Sequence, residues 1–198
     1  MEIKSVTLND VENVVEIHEN SFENFFLTTL GSSFLKSYYT ILLKDMGTIF
    51  IGCFVDNKLE GFCTVAKHSK GFNKRLIKLN PLAFSIMGLK LLFRKPTTII
   101  RLGKNLDKSS SVEDNGDYAE VLSIAASVNL KGKGVGKKML LFLEEKLKKE
   151  NYKKLSLTTD FYDNEGAVNF YKKIGYKILT EFITYPNRKM YRFIKNIK

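Results

Sequence analysis

Five consecutive segments in the second half of the chain alternate between strand-like and helix-like patterns. Residues 118–128, 155–159 and 176–182 are short stretches of β-forming residues. Residues 134–150 and 164–174 instead repeat apolar side chains at helical spacing. Strands that alternate with helices of this length indicate an α/β domain. This pattern constrains the fold more than any other feature of the sequence, and the 198 residues fit one domain, 1–198.

The first half of the chain predicts a strand, two helices and a β-hairpin. Asn9 or Asp10 can cap the first helix, and Gly31 separates it from the second. The predicted bounds are 2–7 for the strand, 11–22 and 34–43 for the helices, and 48–55 with 61–67 for the hairpin.

A long segment at about 69–117 separates the hairpin from the α/β block. Residues 76–93 and 99–106 predict helices, and 109–117 predicts a polar loop. We favour a helical pair that covers the sheet. The alternatives are a lid on an acceptor site, a homodimer surface, and a basic amphipathic contact with a membrane surface.

The formal net charge is +11, with basic residues spread over the chain and no nucleic-acid-binding motif. A solvated basic surface is therefore favoured over nucleic-acid binding. The first ten residues lack the apolar core of a signal peptide, which predicts a cytoplasmic protein. The longest apolar run, 81–93, is interrupted by Lys90 and falls short of the roughly 20 residues of a spanning helix.

Cysteine and histidine usage predicts no metal site and no disulfide. Cys53 and Cys63 lie on the two strands of the hairpin, where a reducing compartment would keep them as thiols. No Cys/His cluster has the spacing of metal ligands. His18 and His68 are isolated, so structural or surface roles are favoured for both.

The turn between the first strand and helix of the α/β block is rich in glycine. It reads Lys131-Gly132-Lys133-Gly134-Val135-Gly136 and leads into the helix N-terminus. Glycines let the backbone approach a ligand closely, and free N–H groups at a helix start favour phosphate. The Gly-x-Gly-x-Gly spacing differs from the dinucleotide fingerprint. Lysine at residue 138 replaces the Ser/Thr of a nucleoside-triphosphate loop.

Two sequence blocks together resemble the GNAT N-acetyltransferases. The first is the glycine turn, which is similar to the family's Gln/Arg-x-x-Gly-x-Gly/Ala signature with Lys131 at the first position. The second, Asn164 to Tyr176, resembles the family's Asn-x-x-Ala-x-x-Phe-Tyr-x-x-x-Gly-Phe helix. The resemblance implies a GNAT acyl-CoA N-acyltransferase fold. In that fold a central mixed sheet carries helices on both faces, and here a helical insert would separate strands 3 and 4.

The resemblance also implies where acetyl-CoA binds. The pyrophosphate would rest on backbone N–H groups of the glycine turn, with lysines nearby. The pantetheine arm would pair with the open edge of a strand that splays from its neighbour. Asn164 would bind this arm or cap its helix. The residues expected to bind acetyl-CoA are Ile124, Ala125, Ala126, Lys131, Gly132, Lys133, Gly134, Val135, Gly136, Lys137 and Asn164.

Two residues are expected to be catalytic. Tyr171 would donate a proton to the leaving thiolate, since a phenol is protonated at neutral pH. Glu120, four residues before Ile124 and therefore expected on the same strand face, would take the amine proton. A lysine-paired charge at a strand end is the alternative for Glu120. Asp160 and Asp163 are alternative bases.

The expected reaction is direct attack of a primary amine on acetyl-CoA in a ternary complex. The first two helices, around Phe22, Phe25 and Phe26, would line the acceptor site together with the insert. A small-molecule acceptor such as an amino sugar is favoured. A protein or peptide amine is the alternative, and a non-catalytic acyl-CoA-binding or membrane-surface module is an alternative of another class.

Overall fold

The computed structural model of the protein describes residues 1–23, 25–94 and 117–197. In chain order the elements are β1 (Glu2–Ser5), α1 (Val11–Ser21), α2 (Ser32–Lys44), β2 (Thr48–Val55), β3 (Lys58–Ala66), α3 (Phe72–Leu79), α4 (Pro81–Arg94), β4 (Ala119–Ala126), α5 (Val135–Lys149), β5 (Lys154–Asp160), α6 (Glu165–Lys173), β6 (Lys177–Thr184) and β7 (Arg188–Asn196).

The described strands form one seven-stranded sheet in the order β1-β2-β3-β4-β5-β7-β6. Neighbouring strands are antiparallel except β4 and β5, which are parallel. Helices cover both faces: one core cluster joins the sheet to α1 and α2 through residues such as Leu35 and Tyr39, and another joins it to α5 through Met139 and Leu143. The predicted mixed α/β sheet with helices on both faces is confirmed.

The predicted hairpin forms around a tight turn. Asp56 and Asn57 both adopt positive φ, 50° and 63°, as two-residue hairpin turns require. Strand β3 consequently begins at Lys58, three residues before the predicted start. Cys53 pairs with Gly61 and Cys63 with Ile51, so the cysteines are diagonal neighbours; both are buried free thiols.

The insert begins with two helices where the sequence predicted a single one at 76–93. Asn80 ends α3, and Pro81 starts α4 at the first helical position, where its missing N–H is tolerated. Arg75 fixes α3 to the α2–β2 turn by donating two hydrogen bonds of 2.8 Å to the Asp45 carboxylate, whose pKa it lowers. The predicted helix at 99–106 and nearly all of the predicted loop lie outside the described residues.

No helix in the described ranges is long and apolar enough to cross a bilayer. The 14 residues of α4 span about 21 Å at 1.5 Å per residue, against a hydrocarbon core of about 30 Å.

His18 on α1 is buried, in agreement with the structural or surface role that the sequence favoured for it. It is 2% exposed, and its Nδ1 lies 2.6 Å from Tyr39 Oη. Nε2 has no hydrogen-bond partner among the described residues. Burial lowers the pKa of the imidazole to about 4, because the charged ring would lose its hydration.

This burial makes the stability of the fold depend on pH. The unfolded chain takes up a proton at His18 near pH 6.5, whereas the folded chain takes it up only near pH 4. The contribution of neutral His18 to the free energy of unfolding is therefore fully present above pH 6.5. This contribution falls by about 3 kcal/mol as the pH decreases toward 4. Urea unfolding at pH 7 and pH 4.5 should show a smaller difference for His18→Gln than for the wild type. Equal differences would mean that His18 does not titrate on unfolding.

Candidate active site

The glycine turn follows β4 and a short 3₁₀ turn, Val128–Leu130. Gly132 and Gly134 both adopt φ of +79°, which only glycine takes up without strain. A side chain at either position would meet no atom within 4 Å, so the backbone conformation alone demands glycine there. The first bond of the α5 turn runs from the Lys138 N–H to the Gly134 carbonyl at 3.0 Å. The Lys133 N–H donates to the Leu130 carbonyl at 3.1 Å, and the N–H groups of residues 134–137 are available to an anion.

Helix α6 packs beside this turn, so the two sequence blocks meet in space. A methyl group built on Gly136 would lie 3.6 Å from Phe170 Cζ. Val135 and Tyr171 are buried in the same core cluster. Lys131, Lys133 and Lys137 are exposed around the turn, where their charges add to that of the helix N-terminus.

The parallel strands β4 and β5 separate halfway along their length. They pair only at Ala119–Val121 with Leu155–Leu157. Beyond this point β4 continues beside β3, and β5 continues beside β7 to Asp160. The separation leaves a gap in the sheet between the second halves of the two strands.

A β-bulge lies where the strands begin to separate. Val65 pairs with Val121 and Thr64 with Ser123, so Leu122 is an extra residue in β4. Because of this extra residue, Val121 before the bulge and Ile124 after it lie on the same face of the sheet, and both pack into the α5/α6 cluster. Leu122 and Glu120 instead line a cavity on the α1/α2 side. The prediction that Glu120 shares a face with Ile124 is therefore wrong, because strict period two fails across the bulge.

The backbone of β4 beyond the bulge presents alternate groups to the gap. The Ser127 N–H donates to the Glu60 carbonyl at 2.8 Å, which directs Ser127 toward β3. Antiparallel pairing alternates, so Ala125 also bonds toward β3, whereas Ile124 and Ala126 direct their N–H and carbonyl groups away from β3, toward the gap. The Ala126 carbonyl accepts a 3.4 Å hydrogen bond from Ser21 Oγ on α1. Of the three predicted pantetheine partners, Ala125 therefore has its polar backbone groups directed away from the gap.

Tyr171 lies on α6 under the same part of the sheet as Ile124. Its side chain is 9% exposed and packs against the rings of Phe170, Tyr176 and Phe193. Burial raises the pKa of the hydroxyl to about 12, and the nearby Cys63 thiol adds to this shift. The phenol therefore stays protonated through the neutral and mildly alkaline range, as a proton donor requires.

Asn164 joins the start of α6 to the end of β5. It occupies the N-cap position, and its Nδ2 donates to Thr159 Oγ1 at 2.6 Å and to the Asp160 carbonyl at 3.1 Å. The Asp160 carboxylate is held by Arg188, with Nη2 to Oδ2 at 2.6 Å. Asp163 is exposed in the connecting loop at φ of 52°.

A cavity of about 450 Å³ opens on the α1/α2 side where β4 and β5 separate. Side chains of α3 and Phe84 of α4 form part of its wall. Its lining includes Phe26, Phe34, Tyr38, Ser69, Lys70, Phe72, Lys74, Leu76, Phe84, Glu120, Leu122, Thr158, Tyr185, Arg188, Met190 and Arg192.

Glu120 is the acidic residue that lines this cavity, and both its oxygens have partners. Oε1 accepts a hydrogen bond from Arg192 Nη1 at 3.0 Å, and Oε2 accepts one from Ser69 Oγ. The alternative assignment of Glu120 expected a lysine as its ion-pair partner, but the partner is Arg192. The Arg192 side chain is itself buried, with 7% exposure. The sequence prediction missed Arg192 and Ser69. A single arginine within the apolar strand 190–194 is the signal that could have identified Arg192.

The three phenylalanines predicted at the acceptor site differ in their surroundings, although the rings of Phe22 and Phe25 pack together with 5.0 Å between their centres. Phe26 lines the cavity. Phe25 lies beneath the Arg188 guanidinium, 4.5 Å from its carbon to the ring centre, and Phe22 packs against His18. In residues 1–23, 25–94 and 117–197 no group of three or more His, Cys, Asp or Glu side chains could hold a metal ion.

Comparison with known proteins places these features in one family. The sequence profile of the Acetyltransferase (GNAT) family matches residues 11–176, which is most of the chain. No curated protein matches the sequence at a significant level.

Solved structures of acetyltransferases share the fold over the whole chain. The ribosomal-protein-S18-alanine N-acetyltransferase from Escherichia coli is 14% identical, with 100% of this chain and 94% of that chain covered and a TM-score of 0.63. The PaiA N-acetyltransferase from Thermoplasma acidophilum, in complex with coenzyme A, is 16% identical, with 98% of each chain covered and a TM-score of 0.59. An aminoglycoside 6'-acetyltransferase type Ii is 14% identical, with 100% and 98% covered and a TM-score of 0.62.

Proposed function

Because the chain belongs to the GNAT acetyltransferase family, we propose that it transfers the acetyl group of acetyl-CoA to a primary amine on a small molecule. The observation that carries this proposal is the position of Glu120 in a cavity that opens where β4 and β5 separate. The acceptor occupies this cavity, and the donor thioester reaches it through the gap in the sheet.

The residues around the gap suit the binding of the donor. Backbone N–H groups of Gly132 and of residues 134–137 donate to the pyrophosphate, and Lys131, Lys133 and Lys137 add charge. Backbone groups of Ile124 and Ala126 pair with the pantetheine arm. An N–H of this edge also donates to the oxyanion, a contribution of about 3 kcal/mol to the transition state.

The transfer forms a C–N bond and breaks the C–S bond of the thioester. Glu120 accepts a proton from the acceptor ammonium, and the resulting amine attacks the carbonyl carbon. Each Glu120 oxygen already accepts one hydrogen bond and keeps lone-pair capacity for the substrate. Tyr171 gives its proton to the departing CoA thiolate and regains the proton that the nitrogen loses as it becomes an amide, while Glu120 releases its proton to solvent. Asn164 positions α6, and thereby Tyr171, against the end of β5.

The cavity favours a small acceptor over a peptide. Its volume of about 450 Å³ is typical of small-ligand sites, and residues of α3 with Phe84 of α4 form part of its wall. Aromatic side chains of Phe26, Phe72 and Phe84 provide apolar surface, while the exposed Lys70 favours an anionic group on the acceptor. An amino sugar that carries a phosphate, such as one on a nucleotide or lipid carrier, combines these properties.

Thiol release from acetyl-CoA across a panel of amines tests this assignment. The panel contains amino-sugar phosphates and nucleotides, polyamines, an aminoglycoside and peptides with free N-termini. We expect kcat/KM for the best amino-sugar phosphate to exceed that for any peptide by at least about 100-fold, because only the small acceptor fills the cavity. A peptide as the best acceptor would assign the protein-modifying activity named for the Escherichia coli neighbour. Binding of CoA without turnover of any amine would favour the non-catalytic alternative.

A further inference from the structure

The net charge of the chain is concentrated in one segment. Ten lysines and arginines and no acidic residue fall between 67 and 104, so this segment carries +10 of the formal +11. Basic residues are spread over the chain as expected, but the 22 outside this segment are nearly balanced by 21 acidic residues. The described part of the segment contains α3 and α4.

Helix α4 has apolar side chains on two opposite sides. Ala83, Phe84 and Met87 pack into the α1/α2 cluster. The other side presents Leu82, Ile86 and Leu89, which are 73%, 48% and 56% exposed. Spacings of four and three residues align these three side chains in one stripe along the helix.

The neighbouring end of α3 extends this surface and adds positive charge. Leu79 is 61% exposed at the end of α3, and Lys74 and Lys78 are exposed one turn apart on the same helix. We define the insert face as Lys74, Lys78, Leu79, Leu82, Ile86 and Leu89. An apolar stripe bordered by lysines is the pattern of helices that lie in the interface of an anionic bilayer.

We propose that the insert face docks the protein on an anionic membrane surface. A second copy of the chain fits poorly, because a symmetric contact would bring two segments of +10 together. Nucleic acid would attract the lysines but offers little to an aliphatic stripe. Anionic lipid suits both the lysines and the aliphatic stripe. Its headgroups pair with the lysines, and the leucines and isoleucine insert among its acyl chains.

Docking in this way would bring the acceptor cavity close to the lipid. Phe84, on the buried side of α4, lines the cavity. The stripe of Leu82, Ile86 and Leu89 is on the opposite side of the same helix, about 10 Å away, which is the diameter of a helix. Lys74 of the insert face itself lines the cavity. The proposal does not depend on acetyl transfer, and vesicle binding tests it separately from activity.

Vesicle co-sedimentation with the full chain provides the test. The wild type should bind vesicles of phosphatidylglycerol and phosphatidylcholine, bind pure phosphatidylcholine weakly, and be released by salt. The variant Leu82→Ser/Ile86→Ser/Leu89→Ser should partition at least about tenfold less, because it lacks the inserted apolar area. Lys74→Gln/Lys78→Gln should also bind less at low salt, which provides a second variant if the first folds poorly.

A control variant removes comparable apolar area elsewhere. Met46, Leu179 and Ile183 are 93%, 46% and 62% exposed and lie outside the insert. Their replacement by serine should leave vesicle binding unchanged. Wild-type binding by the variant at residues 82, 86 and 89 would overturn the proposal. Loss of binding in the lysine variant alone would also overturn it, because this would indicate a general polyanion site. A third contrary result is a protein that binds no vesicles and forms a dimer that the variant at residues 82, 86 and 89 dissociates.

Discussion

Tyr171→Phe should lower kcat by at least about 100-fold while leaving the Kd for acetyl-CoA within about twofold, because proton donation to the leaving group is lost. The phenylalanine ring retains the packing against Phe170, Tyr176 and Phe193, so the change removes only the hydroxyl. Thiol release gives kcat, and calorimetric titration gives the Kd.

The pH dependence of this step follows from the raised pKa of Tyr171. Burial moves that pKa to about 12, so the donor remains protonated and causes no alkaline loss of activity below that range. Tyr176→Phe is the matched control, since Tyr176 is a buried tyrosine nearby whose Oη donates to Glu144 at 3.4 Å. Its kcat should stay within about threefold of the wild type. Equal losses in both variants would mean that Tyr171 acts through packing alone.

Glu120→Gln should lower kcat/KM by at least about 100-fold at pH 7, because the ammonium of the acceptor loses its proton acceptor. Glutamine keeps the shape of the side chain and can still accept from Arg192. The deficit should shrink as the pH rises toward the pKa of the acceptor amine, since an amine that is already neutral needs no base. A pH series of thiol release from 6.5 to 9.5 measures this trend.

Two further variants separate catalysis from structure at Glu120. Ser69→Ala removes one hydrogen bond to the carboxylate and leaves its charge, so a loss of no more than about tenfold is expected. Asp160→Asn tests the alternative base, which is held by Arg188, and should have a smaller effect than Glu120→Gln. If the loss of kcat/KM in Glu120→Gln stays constant across the pH series, Glu120 is not the base and acts only through its ion pair with Arg192.

The parts of the site that local sequence rules determine were predictable. Glycines at 132 and 134 adopt the positive φ that their spacing suggested, and Gly175 adopts φ of +94° after α6. The apolar spacing of α5 gave its buried face correctly, with Met139, Leu140, Leu143 and Leu147 in the core. These features depend on neighbours within one or two turns of the chain.

The features that were missed depend on partners far away in sequence. The bulge at Leu122 exists because β4 adjusts its register to β3, about 60 residues earlier, and no local pattern encodes it. Arg192 reaches Glu120 across 72 residues. For the insert, the sequence favours a helical pair that covers the sheet and keeps a lid on the acceptor site as an alternative, and Phe72, Leu76 and Phe84 line the cavity.

A crystal structure of the complex with CoA tests the central claim most directly. We expect phosphate oxygens on the N–H groups between Gly132 and Lys137, pantetheine amides paired with Ile124 and Ala126, and the thiol within hydrogen-bonding distance of Tyr171 Oη. A thiol remote from Tyr171, or a pantetheine arm outside the gap between β4 and β5, would contradict it.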